Sequence, residues 1–169
     1  YDPAENKDLL LRGLRSLHGL PALTDAGTGG QTVLGLRAKL TLAKTELEEG
    51  EELPFTLSIE NCSERSLHLN TRFPAEADAL CRLHFSIQSA DGAVVKSARW
   101  LERKSGAVQK LEPGKAFSIA ERLTLGLAPG KLYLVFWEYL NLTEDGAKKG
   151  QRFWKGILPS NPMAFRIKA

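Results

Sequence analysis

The turn phrase Leu-Glu-Pro-Gly at residues 111–114 recurs as Leu-Ala-Pro-Gly at residues 127–130, and each copy precedes an alternating apolar run. Proline fixes the φ angle that starts a turn, and glycine accepts the left-handed conformation that completes it. Each phrase therefore directs the chain into a new strand. Turn signals at this spacing, between short alternating runs, are typical of an antiparallel all-β sandwich.

Alternation of apolar and polar residues continues along much of the chain. Side chains two positions apart share one face of a strand, so a period of two predicts a strand with one face in the core. Such runs lie near residues 36–42, 55–59, 67–71, 83–87, 94–95, 117–123, 133–140 and 163–167. Asp91-Gly92 is a hairpin turn signal between two of them. The pattern predicts two packed antiparallel sheets.

The run at residues 133–140 differs from the others because it is apolar on both faces. Leu134 and Phe136 lie on one face, and Tyr133, Trp137 and Tyr139 on the other. A strand with two apolar faces is expected to be central and covered on its outer side. Either an N-terminal helix or a partner could supply the cover, and the helix is the simpler explanation.

The N-terminus has the pattern of an amphipathic helix. Asp2-Pro3-Ala4-Glu5 fits a capping box with proline at the first helical position, and Leu10, Leu14 and Leu17 recur at helical spacing before Gly19. The sequence predicts a helix and Gly-rich linker over residues 1–32 and a β-sandwich domain over residues 33–169. The helix either packs on the sandwich or belongs to a preceding helical region or a partner-binding segment.

Charge and hydropathy exclude two classes of partner. The net charge of +3 arises from 23 basic and 20 acidic residues that are mixed along the chain. This balance is too weak and too dispersed for nucleic-acid binding. The longest apolar run, residues 132–137, is too short to span a bilayer.

The chain has two cysteines, Cys62 and Cys81. They lie at the two ends of one predicted loop excursion, and a disulfide that closed it would contribute about 3 kcal/mol. We therefore expect a disulfide, which would agree with an oxidising, exported setting. The alternative is two unrelated thiols that are partly buried.

The stretch from Asn141 to Pro162 is the longest without a clean strand pattern, and connections of this length are often binding loops. It combines cations with an aromatic pair: Lys148, Lys149, Arg152, Phe153, Trp154 and Lys155. Aromatic and arginine side chains are frequent interface anchors. The sequence predicts that these six residues bind a partner protein that is acidic at the contact. Alternatively, the two aromatic rings pack against the sheet edge.

Catalytic signatures are absent from the sequence. It has no Gly-rich phosphate loop, nucleophile elbow, metalloprotease helix or Cys-x-x-Cys pair. His68 and His84 alternate with apolar neighbours and should point away from the core. They would form a metal pair only if their strands were neighbours. The sequence thus predicts no enzymatic activity, no cofactor and no metal.

The strand and turn phrases together resemble a known family of folds. They are Phe55–Asn61, Asp91-Gly92, the two Pro-Gly phrases with Lys131–Tyr133, and Ser160–Ile167. Over residues 36–167 the chain resembles the Ig-like or fibronectin-like sandwiches of bacterial envelope and secreted proteins. It also resembles the intracellular proteinase-inhibitor family of bacteria. The first resemblance implies an Ig-like two-sheet sandwich in the periplasm, the cell envelope or the secreted fraction.

These observations predict a non-catalytic protein-interaction module of an exported bacterial protein. One alternative is a proteinase inhibitor that inserts an exposed loop into an active-site cleft. Another is a carbohydrate-binding module, in which sugar rings would stack on exposed aromatic side chains. The sugar-binding alternative requires Tyr133, Trp137 and Tyr139 to be accessible to solvent.

Overall fold

A computed structural model describes residues 30–73, 80–100 and 108–169 of the protein. Within these ranges the chain forms twelve β-strands and no helix, so none of these residues belongs to a membrane-spanning helix. The strands are β1 (Thr32–Val33), β2 (Leu36–Leu42), β3 (Glu46–Leu47), β4 (Leu53–Asn61), β5 (Leu67–Leu69), β6 (Cys81–Ser89), β7 (Val94–Trp100), β8 (Gln109–Leu111), β9 (Ala116–Leu123), β10 (Leu132–Asn141), β11 (Gly156–Pro159) and β12 (Met163–Ile167). The predicted N-terminal helix lies outside the described residues.

Both Pro-Gly phrases form turns, as predicted. In the first, the Lys115 amide donates a hydrogen bond to the Glu112 carbonyl at 3.0 Å, and Gly114 has a φ of 73°. In the second, Gly130 has a φ of 75° directly before β10. The Asp91-Gly92 turn joins β6 to β7 in the same way. Positive φ angles of this size favour glycine because it has no Cβ.

Twelve strands assemble into three sheets. A four-stranded sheet has the order β1-β2-β4-β9, and a six-stranded sheet has the order β3-β12-β10-β6-β7 with β11 also paired to β10. Strands β5 and β8 form a two-stranded sheet. Named strands pair antiparallel except β3 and β12, which are parallel. The all-β prediction is confirmed, and the number of strands was underestimated because several are only two to four residues long.

The core lies where the four-stranded and six-stranded sheets face each other. Trp137 of β10 is fully buried and stacks on Phe55 of β4, with ring centroids 4.8 Å apart. Phe85 of β6 lies 5.2 Å from the same indole. Burial of large rings from both sheets provides the main stabilisation of such a sandwich.

A polar link also joins the two sheets. The Leu40 amide in β2 donates to Asn161 Oδ1 at 2.7 Å, and Asn161 Nδ2 donates to the Leu40 carbonyl at 3.0 Å. The neighbouring Ser160 Oγ accepts from the Trp137 amide at 2.9 Å. Buried backbone N–H and C=O groups require hydrogen-bond partners. The segment before β12 supplies such partners to backbone groups of both sheets.

Candidate functional site

The segment between β10 and β11, residues 142–155, contains the predicted interaction residues, and we call it the cationic loop. Two turns shape it. The Ala147 amide donates to the Glu144 carbonyl at 3.0 Å, and the Gln151 amide donates to the Lys148 carbonyl at 2.9 Å. Gln151 Oε1 accepts from the Lys148 amide at 2.9 Å. The predicted long loop is thus shorter than expected, because β11 occupies residues 156–159.

Phe153 and Trp154 are not the surface anchors that the sequence predicted. They are 4% and 5% exposed and lie in the core, which is the alternative in which the rings pack against the sheets. The Trp154 indole stacks obliquely on Tyr139, with ring centroids 5.7 Å apart. Transfer of an apolar ring out of water is favourable, which explains why the two rings are buried in the core.

Hydrogen bonds from distant parts of the chain hold Trp154 in place. Its amide donates to the His68 carbonyl at 2.8 Å, and its indole Nε1 donates to the Leu34 carbonyl at 3.2 Å. Asn141 Nδ2 donates to the Trp154 carbonyl at 2.8 Å. The C-terminal end of the cationic loop is therefore fixed by groups from β5, the β1–β2 turn and the end of β10.

The predicted cations remain on the outside of the loop. Lys148, Lys149, Arg152 and Lys155 are exposed. Lys155 Nζ lies 3.4 Å from Glu144 Oε1, an exposed pair that contributes little to stability. Four exposed cations therefore lie on a loop that two turns shape and whose C-terminal end is fixed.

Arg72 belongs to the same surface, although the sequence did not indicate it. A Cβ placed on Gly146 would lie 1.9 Å from Arg72 Nη1, so the guanidinium packs directly on this glycine of the cationic loop. Arg72 is exposed and follows β5. No local sequence signal could have found it, because the contact joins residues that are far apart in the chain.

The predicted disulfide is not formed. Cys62 and Cys81 are free thiols, the first exposed and the second buried. The Cys81 thiol donates to the Asn70 carbonyl at 3.4 Å, within the core. The spacing of the two cysteines in the sequence could not indicate the direction of either side chain.

We expect the two thiols to differ strongly in reactivity. Burial raises the pKa of Cys81 to about 12, an effect that the neighbouring Tyr139 hydroxyl only partly offsets. The thiolate is the reactive form. In native protein at pH 8, a chromogenic disulfide reagent should therefore react with Cys62 alone. Cys62→Ser protein should not react until it is unfolded in urea. Rapid reaction of Cys81 in the folded chain would contradict its placement in the core.

His68 and His84 do not form a pair. β5 pairs with β8, whereas β6 pairs with β10 and β7, so the two histidines lie in different sheets. His84 Nε2 is 2.7 Å from the Ser97 hydroxyl. Across the described residues, no group of three or more metal-binding side chains occurs.

The aromatic row required by the sugar-binding alternative is inside the molecule. Tyr133, Trp137 and Tyr139 are 2%, 0% and 1% exposed. These rings face the four-stranded sheet, so sugars cannot stack on them. The structure therefore contradicts that form of the carbohydrate-binding alternative.

No protein-family model matches this chain, and no curated protein matches it either. Solved structures with a similar backbone include the C-terminal domain of wzt, at 12% sequence identity and a TM-score of 0.51, covering 90% of this chain and 84% of that chain. The sporulation control protein Spo0M from Bacillus subtilis is similar at 15% identity and a TM-score of 0.47, covering 81% of this chain and 51% of that chain. The first likeness supports a β-sandwich fold and carries no function.

Proposed function

We propose that this chain is a non-catalytic interaction module, an Ig-like two-sheet sandwich, that binds an acidic protein partner through the cationic loop. The observation that carries the proposal is that residues 142–155 combine buried aromatic rings with exposed basic side chains. Phe153 and Trp154 hold the loop from the inside, and Lys148, Lys149, Arg152 and Lys155 are presented to solvent. This differs from the sequence prediction, in which the rings themselves contacted the partner.

Preorganisation supports a binding role for the loop. A segment that orders only on binding loses conformational freedom at that moment, which weakens affinity. The two turns of the cationic loop and the hydrogen bonds at Trp154 are already present in the unbound chain. The exposed cations would then mainly accelerate the encounter with an acidic partner and select against basic ones.

Arg72 extends the proposed contact beyond the loop itself. Its guanidinium packs on Gly146 and so adds a fifth basic group to the cationic loop, which also contains the acidic Glu144 and Asp145. A planar guanidinium can bind a carboxylate through two parallel hydrogen bonds. Arg72 and Arg152 are therefore the residues of this surface best suited to a directional contact.

The periplasmic or secreted location remains part of the proposal through the sequence resemblance. Because both cysteines are free thiols, the predicted disulfide no longer supports export. The proteinase-inhibitor alternative uses the same kind of exposed loop and differs in requiring a proteinase as the partner.

Charge-matched variants of the full chain test the loop. The loop variant carries Lys148→Gln, Lys149→Gln and Arg152→Gln, and the control carries Lys115→Gln, Lys131→Gln and Arg122→Gln at exposed positions elsewhere. Both variants lose two lysines and one arginine. Binding of a fluorescent oligoglutamate peptide at low salt is the measurement. We expect the loop variant to bind about tenfold more weakly and the control to resemble the parent.

Two results would contradict the proposal. Equal weakening in both variants would show that net charge, and not the cationic loop, attracts the peptide. Absence of binding by the parent chain at low salt would exclude an acidic contact of this kind.

A further inference from the structure

Part of the outer face of the six-stranded sheet, on β10 and β6, is covered. Inward residues of β10 include Trp137 and Tyr139, so Phe136, Glu138 and Leu140 point to the opposite side. Glu138 and Leu140 are nevertheless only 5% and 2% exposed. The outer faces of sandwich sheets are ordinarily solvated, and burial there needs a covering segment.

The same burial extends onto β6. Ser86 lies opposite Phe136 and Gln88 opposite Leu134, and both polar residues point outward. They are 4% and 1% exposed. Gln88 Oε1 is buried, and none of the described residues donates a hydrogen bond to it. By contrast, Arg37 and Glu60 on the outer face of the four-stranded sheet have side chains that are 39% and 37% exposed.

The pKa values of two titratable groups on this face are also shifted by burial. Burial raises the pKa of Glu138, an effect that the nearby charge of Arg82 opposes. Burial lowers the pKa of His84, and the charges of Arg82 and Arg99 lower it further. Glu138 and His84 are register partners on β10 and β6, and Arg99 is opposite His84 on β7. The face therefore combines an apolar part with a polar part that bears two arginines.

We propose that residues 1–29 cover this face, with the predicted N-terminal helix lying across β10 and β6. The position of Gly30 supports this occupant. Its amide donates to the Ala38 carbonyl at 2.7 Å, and a Cβ placed on it would lie 2.5 Å from the Pro159 carbonyl oxygen. Pro159 is the register partner of Glu138, so Gly30 lies next to β11, a neighbour of β10 in the covered sheet.

The length and the side chains of the predicted N-terminal helix also fit the covered face. A helix of sixteen residues is about 24 Å long, whereas four neighbouring strands extend over about 14 Å. Leu10, Leu14 and Leu17 form an apolar stripe that suits Phe136 and Leu140. The acidic residues of the first helical turns, Asp2, Glu5 and Asp8, suit the arginines of β6 and β7.

A thiol placed on the covered face reports on this cover. The parent for the test is the full chain with Cys62→Ser and Ser86→Cys, in which Cys81 remains as a reporter of the core. Leu10→Gln with Leu14→Gln removes the apolar stripe while keeping good helix formers. Arg12→Gln with Ser16→Gln is the matched control, with the same spacing on the opposite side of the helix.

We expect the thiol at position 86 to be protected in the parent and in the control. The Leu10/Leu14 variant should label there about tenfold faster, with Cys81 still protected. Rapid labelling of position 86 in the parent would show that the face is open and would overturn the proposal. Protection that persists in the Leu10/Leu14 variant would assign the cover to another segment or a second copy of the chain, and would also overturn it.

A second measurement decides the matter if the leucine variant unfolds and labels Cys81 as well. A photoreactive benzoylphenylalanine in place of Phe136 keeps an aromatic side chain on the covered face of an otherwise unchanged chain. Irradiation should yield cross-links to peptides from residues 1–29 of the same chain. Cross-links only to other residues, or only between two chains, would exclude the N-terminal segment as the cover.

Discussion

Replacing Trp154 by alanine should lower the free energy of unfolding by about 3–5 kcal/mol, the usual loss for a buried tryptophan. The indole is 5% exposed, stacks on Tyr139 and donates to the Leu34 carbonyl. Its removal leaves a cavity and a carbonyl without its donor. Since a domain of this kind has a total stability of about 5–15 kcal/mol, the midpoint of urea unfolding should fall markedly.

Arg152→Ala is the matched control for this substitution. Arg152 lies in the same loop but is exposed, so its truncation should change the free energy of unfolding by at most about 0.5 kcal/mol. If Trp154→Ala protein were as stable as the parent, the ring would not belong to the core, and it would again be a candidate contact for the partner.

Replacing Asn161 by alanine should lower the free energy of unfolding by about 2–4 kcal/mol, because it leaves both the amide and the carbonyl of Leu40 unpaired in the core. The side chain meets these two groups at 2.7 Å and 3.0 Å. Asn161→Asp is the more specific test, since it keeps the acceptor and loses the donor. Urea unfolding of the three proteins at neutral pH is the measurement.

Lys168→Ala serves as the control, because its ion pair with Glu48 is exposed and contributes little. Stabilities of the Asn161 variants equal to that of the Lys168 variant would show that the link between Asn161 and Leu40 is not a structural one.

The strands and turns were predictable because their signals are local. Proline and glycine specify a turn within four residues, and alternation specifies a strand within six or seven. Both Pro-Gly turns and the Asp91-Gly92 hairpin were confirmed for this reason. Strands of two residues, such as β1 and β3, carry no periodic signal and were missed.

The direction in which a face points is not a local property. Alternation in β10 grouped Tyr133, Trp137 and Tyr139 correctly, but a period of two does not reveal which group is inside. Packing against Phe55 of β4 decides it.

The exposure of the loop cations could be predicted from the sequence, whereas the exposure predicted for the two aromatic rings was wrong. Lysine and arginine side chains avoid burial on their own, so four basic residues in one loop were expected to be exposed. The rings of Phe153 and Trp154 are buried by groups that lie far away in sequence, including His68 and Leu34. The contact between Arg72 and Gly146 depends on the fold in the same way.

The central claim is that the cationic loop binds an acidic partner with its exposed cations while its aromatic anchors stay in place. A ¹⁵N chemical-shift titration of the full chain with oligoglutamate tests it most directly. The account predicts shifts for the backbone amides of residues 144–152 and for Arg72, and an unchanged signal for the Trp154 indole N–H. A large shift of that indole, or shifts centred on another surface, would contradict it.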